Sequence, residues 1–147
     1  MGIPIVRKQW GTKTLNQFYD SIKNKMLLGQ FNWLSDDYKL YMLSATYVFD
    51  GADTTMSDVA GGAILGTSQL ISGKTVTSNN MLASPASFLA IVDTEAVTQF
   101  VLATDTGNVA TDLLVAYFDQ GFGLPFIPSG GNYNIDWGVI NGTVAEL

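Results

Sequence analysis

From residue 37 onward the chain is cut into short runs rich in Val, Ile, Thr, Leu and aromatic residues, each closed by a turn signal, and this constrains the fold most. The runs cover 38–44, 64–72, 75–78, 88–92, 98–104, 113–119 and 133–140. Between them stand Asp50-Gly51, Gly61-Gly62, Ser72-Gly73, Asn79-Asn80, Asp105-Thr106-Gly107-Asn108 and Pro128-Ser129-Gly130-Gly131. These residue types supply positive φ or bond their own backbone, so they end strands. Tyr133, Ile135 and Trp137 alternate with Asn134 and Asp136, the pattern of a strand with one buried face. Residues 88–92 and 113–118 are continuous apolar runs, which sit centrally or turn their second face to a partner. No helical period stands between the runs, which disfavours βαβ winding; residues 56–63 read as a single turn or loop. The expected class is mainly β: a single-domain β-sandwich or jelly-roll-like fold with one N-terminal amphipathic helix and an extended N-terminal arm.

The helix is predicted over 14–28. Thr14 and Gln17 have capping-box spacing, and Leu15, Phe18, Tyr19, Ile22 and Met26 recur at one-face intervals. Gly29 stands where a left-handed C-cap belongs. Ahead of it, residues 1–13 read as an arm: Gly2, Pro4 and Gly11 break local structure, while Ile3, Ile5, Val6 and Trp10 are too apolar to be left in water. The arm packs either on its own body, 14–147, or on a partner.

The 147 residues include no His and no Cys, which removes the imidazole base, thiolate chemistry, disulfides and Cys/His zinc sites. With 47% hydrophobic and 14% charged residues, a packed core is expected rather than disorder. A chain of this length buries roughly 68–70% of its unfolded surface, so one domain needs no staple. No stretch has the length and apolarity of a membrane span, and the first residues lack an apolar secretion core, so a cytoplasmic origin is expected. Charge is uneven. Residues 1–39 carry six cations against three carboxylates, whereas 40–147 carry Lys74 alone against ten carboxylates. That distribution does not suit a nucleic-acid footprint, which needs a broad basic face. It suits docking of the front segment on an acidic protein surface or on the acidic body of a neighbouring copy, and equally a solvated surface.

Catalytic candidates reduce to carboxylates. Asp93 with Glu95, and Asp50 with Asp53, are the candidate pairs, and turn chemistry accounts for both without a sugar-cleaving role. Asp105 to Asp112 offers oxygen ligands but not the calcium-loop spacing of an EF-hand, and a hairpin turn explains it. Asn141-Gly142-Thr143 is a formal glycosylation sequon that also reads as a turn. No enzyme activity and no cofactor are expected. Loop aromatics are the better binding candidates: Trp33 in a non-periodic segment, and Phe122 and Phe126 in a Gly- and Pro-rich loop. They act as interface anchors or cover the open end of the domain. With Ile3, Ile5, Val6, Arg7, Lys8 and Trp10 of the arm, they form the expected partner interface.

Taken in order, Phe18-Tyr19-Asp20, Gly29-Gln30-Phe31-Asn32-Trp33, Ser35-Asp36-Asp37, Ser72-Gly73-Lys74-Thr75-Val76, Asp105-Thr106-Gly107, Leu113-Leu114-Val115-Ala116-Tyr117-Phe118-Asp119, Gly123-Leu124-Pro125 and Gly130-Gly131 before Ile135-Asp136-Trp137 resemble small virion structural proteins of tailed bacteriophages. The resemblance spans roughly residues 15 to 140 and rests on turn and core positions rather than a chemical signature. It implies a virion component, and within that group a capsid decoration (cement) protein. Such a protein is a small β domain, often trimeric, on the outer surface of a shell assembled in the host cytoplasm. Its implied partners are the major capsid protein or another virion protein and further copies of itself, without nucleic acid or membrane. A tail, neck or adaptor subunit, and a carbohydrate- or receptor-binding module, stay open as alternatives.

Overall fold

A computed structural model describes residues 17–59, 61–77, 80–137 and, for the backbone, 143–146. The arm at 1–13, the predicted helix start at 14–16, part of the Asn79-Asn80 turn, the end of the last run and the Asn141-Gly142 turn lie outside the described residues. Among the described residues the chain is mainly β with one α-helix.

The central element is β2 (Tyr38–Leu43). Tyr38, Leu40 and Met42 point to one face and Tyr41 and Leu43 to the other, all buried. A strand apolar on both sides belongs inside a sheet. It pairs antiparallel with β3 (Ile64–Leu70) on one side and β7 (Gln99–Thr104) on the other. Next to β7 lies β8 (Leu114–Phe118), and outside it β1 (Gln17–Phe18), giving the order β1-β8-β7-β2-β3. The run at 113–118 therefore sits inside the sheet. Its register shifts opposite Leu102 and Ala103, a bulge that lets the adjacent Val115 and Ala116 join one core cluster while Leu114 and Tyr117 join the other.

Both faces of this sheet are covered by the chain itself. Over one face lie Ile22 of α1 (Asp20–Leu27), Trp33, Met81 of β5 (Asn80–Leu82), Phe88 of β6 (Ala86–Phe88), Ile135 of β9 (Tyr133–Ile135) and Trp137. Over the other lie Tyr19, Tyr47 and the 3₁₀ turns at Met56–Asp58 and Gly61–Ala63, through Met56, Val59 and Ala63. The region 56–63, expected as a turn or loop, holds these two short turns. With β4 (Thr75–Thr77) and β10 (Thr143–Glu146), β5 forms a three-stranded sheet in the order β10-β5-β4, and β6 pairs with β9.

The helix prediction needs correction at its start. Gln17 and Phe18 do not open a helix; they pair with Tyr117 and Ala116 at the free edge of β8, and the Tyr19 N–H donates to the Val115 carbonyl at 3.1 Å. Pairing at that edge satisfies backbone groups that a longer helix would leave unmatched on β8. Phe18 and Tyr19 then join opposite core clusters, as successive residues of an extended segment do. Tyr19 becomes an extended N-cap, and the helix runs only from Asp20 to Leu27. Its end is as expected. Gly29 has φ +70°, its N–H bonds the Met26 carbonyl at 3.1 Å, and the Gln30 N–H bonds that of Lys25 at 2.8 Å, a Schellman closure.

The run 88–92 is not a central strand. It leaves β6 after Phe88 and turns, with Ala90 at φ +48° and its N–H held by Asn132 Oδ1 at 2.9 Å. Leu89 and Val92 are left 67% and 78% exposed.

Candidate interaction surface

The expected chemical constellations resolve into turns. Asp93 Oδ1 accepts the Glu95 N–H at 3.1 Å, and Asp50 Oδ1 accepts that of Ala52 at 2.9 Å. Asp112, buried, accepts both the N–H and the hydroxyl of Thr106 at 2.6 and 2.7 Å, closing the loop from Asp105. Among the described residues no group of three or more His, Cys, Asp or Glu is placed to hold a metal ion.

A buried hydroxyl chain lies on the second face of the sheet. Tyr19 and Tyr47 share a 2.9 Å hydrogen bond, and the Tyr47 hydroxyl donates to Asp53 Oδ2 at 2.9 Å. Burial pushes both phenols above their ordinary value, so they stay neutral donors. Burial likewise raises the Asp53 carboxyl, offset in part by the Tyr47 bond. With Phe49 stacked on Tyr117 at 4.4 Å, this chain fastens the loop after β2 to the sheet.

Nearby, Asp58 Oδ2 accepts the N–H groups of Thr54 and Thr55 at 2.9 and 3.1 Å, which holds its carboxyl below the ordinary value. A depressed carboxyl contributes stability above its unfolded value, and that contribution disappears as pH falls through the lower folded value. Asp58→Asn is therefore expected to flatten the loss of stability on acidification below about pH 4, near the 3.8 of a free carboxyl. Urea midpoints of parent and variant across that range check this.

The loop aromatics cover the core. Trp33 is buried, its ring 4.9 Å from that of Tyr38, and its Nε1–H donates to the carbonyls of Thr75 and Leu82 at 3.1 and 3.2 Å. It is off the accessible surface because its own hairpin closes over it. Phe122, half-buried at φ +55°, meets Phe100, Phe118 and Trp137 edge-on at 5.8–5.9 Å. Phe126, also half-buried, stacks on Tyr133 at 3.9 Å. The arm residues Ile3, Ile5, Val6, Arg7, Lys8 and Trp10 lie outside the described residues.

Some of the exposed apolar residues lie beside these rings; Leu27, Leu28 and Val48, which line neither of the hollows described next, are as exposed. A groove of about 310 Å³ runs between the outer edge of β3, at Gly66, Thr67 and Gln69, and residues 88–92. A smaller hollow of about 100 Å³ continues past Ile91 to residues 126–133. Leu89, Val92 and Ile127 are all more than 60% exposed around the two. The rim is fixed by backbone bonds: Gly130 N–H to Ile91 carbonyl at 2.7 Å, Ile91 to Gly131 at 3.2 Å, and Val97 to Phe126 at 2.7 Å. Gly66, at φ +63°, lets this wall approach: a Cβ there would stand 3.0 Å from Met42 Cε and 3.5 Å from Ile91 Cγ2. Leu89 and Val92 were not among the expected interface residues. The signal was the apolar run at 88–92, whose second reading was a face turned to a partner.

No known protein-family model matches this chain, and no curated protein matches its sequence.

Proposed function

We propose that this chain is a non-catalytic structural subunit of a tailed-phage particle, a decoration protein that binds the outer shell and bridges its capsomers. The observation that carries the reading is the grouping of exposed Leu89, Val92 and Ile127 around two adjoining hollows, because singly exposed apolar residues are ordinary but a cluster of them suits a contact site. The resemblance in residue order supplies the particle. One carboxylate of each pair, Asp50 and Asp93, is committed to a turn, and Asp53 accepts the Tyr47 hydroxyl, which supports a binding role over a hydrolytic one. The five-stranded sheet with smaller sheets over one face supports a lopsided sandwich.

A protein that binds only the assembled shell stabilises it by mass action. Purified chain mixed with expanded shells is expected to co-sediment at a fixed ratio and raise the shell's melting temperature, and Val92→Asp, at an exposed position, to lose both effects. Saturable binding that Val92→Asp and Leu89→Asp leave unchanged would contradict the assignment of this surface; no binding to shells would contradict the function. The carbohydrate-binding alternative loses two of its three tryptophans, since Trp33 and Trp137 are buried.

A further inference from the structure

We infer that the groove between β3 and residues 88–92 takes residues 3–8 of a second copy of this chain. This stands on geometry and charge and needs no shell: it gives Leu89 and Val92 a different occupant from the proposed shell contact, and self-association of the purified chain tests it apart from shell binding. The order of the large sheet ends at β3, so β2 pairs with one edge and, among the described residues, no strand pairs with the other. Phe88 and Ile91 lie buried behind the groove, and the exposed Leu89 and Val92 stand at its side. Past Val92 the rim continues into Asp93 and Glu95, and from residue 40 on the chain holds one cation against ten carboxylates.

A fitting occupant is extended, apolar on one side and cationic at one end. Within this sequence 3–8 has that form: Ile3 and Ile5, two apart, share one side of an extended segment, and Arg7 and Lys8 follow. Residues 1–16 hold three cations and no carboxylate. Apolar burial then seats Ile3 and Ile5 against Leu89 and Val92, with Arg7 and Lys8 toward Asp93 and Glu95. The bulge at Gly66 interrupts the strand edge, so side-chain burial carries more of the affinity than a backbone ladder.

Chain length selects a second copy over the chain's own arm. Residue 17 enters β1, at the opposite edge of the sheet from β3. Crossing four strand spacings takes about 19 Å, and climbing over and down a covering layer adds about 20 Å. The nine residues 8–16 reach at most about 32 Å fully extended, short of that route. A segment leaving one copy and seating on a different patch of the next is a head-to-tail contact, which builds a ring where the rotation closes and an open filament where it does not.

The test is sedimentation equilibrium on the full chain, a variant lacking 1–13, and Val92→Asp, with circular dichroism confirming the fold of each. The full chain is expected to self-associate, more weakly as salt rises. Each variant is expected to lose association by about tenfold or more, as when an interface anchor is removed. Mixed in equal amounts, the two variants should form a one-to-one pair, the intact arm of one in the intact groove of the other. Leu89→Asp serves in place of Val92→Asp if that variant misfolds. A full chain that is monomeric at all concentrations, variants that associate like the parent, or a mixture that stays monomeric would each overturn the inference.

Discussion

Phe100→Ala is expected to lower the free energy of unfolding by about 3–5 kcal/mol, the range for removing a fully buried aromatic ring. Phe100 lies in β7 and is 1% exposed. It faces Phe118 across the strand pair and lies within 6.2 Å, ring to ring, of Phe88, Phe122 and Tyr133. Its loss takes one wall from each. Phe122 and Tyr133 are only half-buried, and Phe122 sits at a φ that non-glycine residues rarely hold. The loop from 120 to 133 should therefore loosen before the sheet does. Thermal melting is expected to shift by about 10 °C. Hydrogen exchange should show the Gly130 and Phe126 amides, bonded to Ile91 and Val97, losing protection first. A drop under about 1 kcal/mol, the level of an ordinary surface change, would mean that this ring does not organise the core.

Trp33→Ala is expected to cost a similar amount, about 3–5 kcal/mol, by a different route. The indole fills the space beside Tyr38, and its single N–H is shared between the carbonyls of Thr75 and Leu82, which are register partners in the β4–β5 hairpin. One side chain thus pins a short hairpin whose first strand is exposed along its length. Lys74 adds to the lid, its Nζ 5.0 Å from the Tyr38 ring and 5.9 Å from that of Trp33. Trp33→Phe, which keeps most of the packing and loses the donor, is expected to cost about 1 kcal/mol for the lost hydrogen bond plus a smaller packing loss. In Trp33→Ala the amides of 75–77 and 80–82 should exchange early. If Trp33 were instead an anchor for a partner, the isolated variant would melt like the parent and only its binding would suffer.

How far the sequence could be read varies by element, and the reasons are physical. β2 was legible as a strand because Tyr38 to Leu43 is dense in β-forming residues between turns, whereas its place inside the sheet was not, since Lys39 interrupts the apolar run. Gly29 and the Asp105–Asp112 loop were legible because their chemistry is local: a left-handed cap and a side chain bonding its own turn. The helix start was not, because the apolar spacing from Leu15 to Met26 fits a helix and carries no information about the edge of β8, about a hundred residues away, that captures Gln17 and Phe18. β5 is three residues long and offers too little pattern to detect.

The site follows the same division. Aromatics in a loop read alike whether they cover their own core or a partner's, so Trp33, Phe122 and Phe126 could not be sorted until the β4–β5 hairpin and the Phe100 ring were in place. The run at 88–92 could not be placed by period, since a continuous apolar stretch suits a central strand and an exposed contact equally. What separates them is the turn at Ala90, a backbone conformation that no composition rule predicts for alanine.

The central claim, that this chain is spread over the outside of a shell, is tested most directly by its copy number in purified particles, measured by quantitative mass spectrometry against the major shell protein. The account predicts a ratio near one, or a simple fraction such as about one third, as symmetric occupancy of the shell requires. A handful of copies per particle, or none, would contradict it.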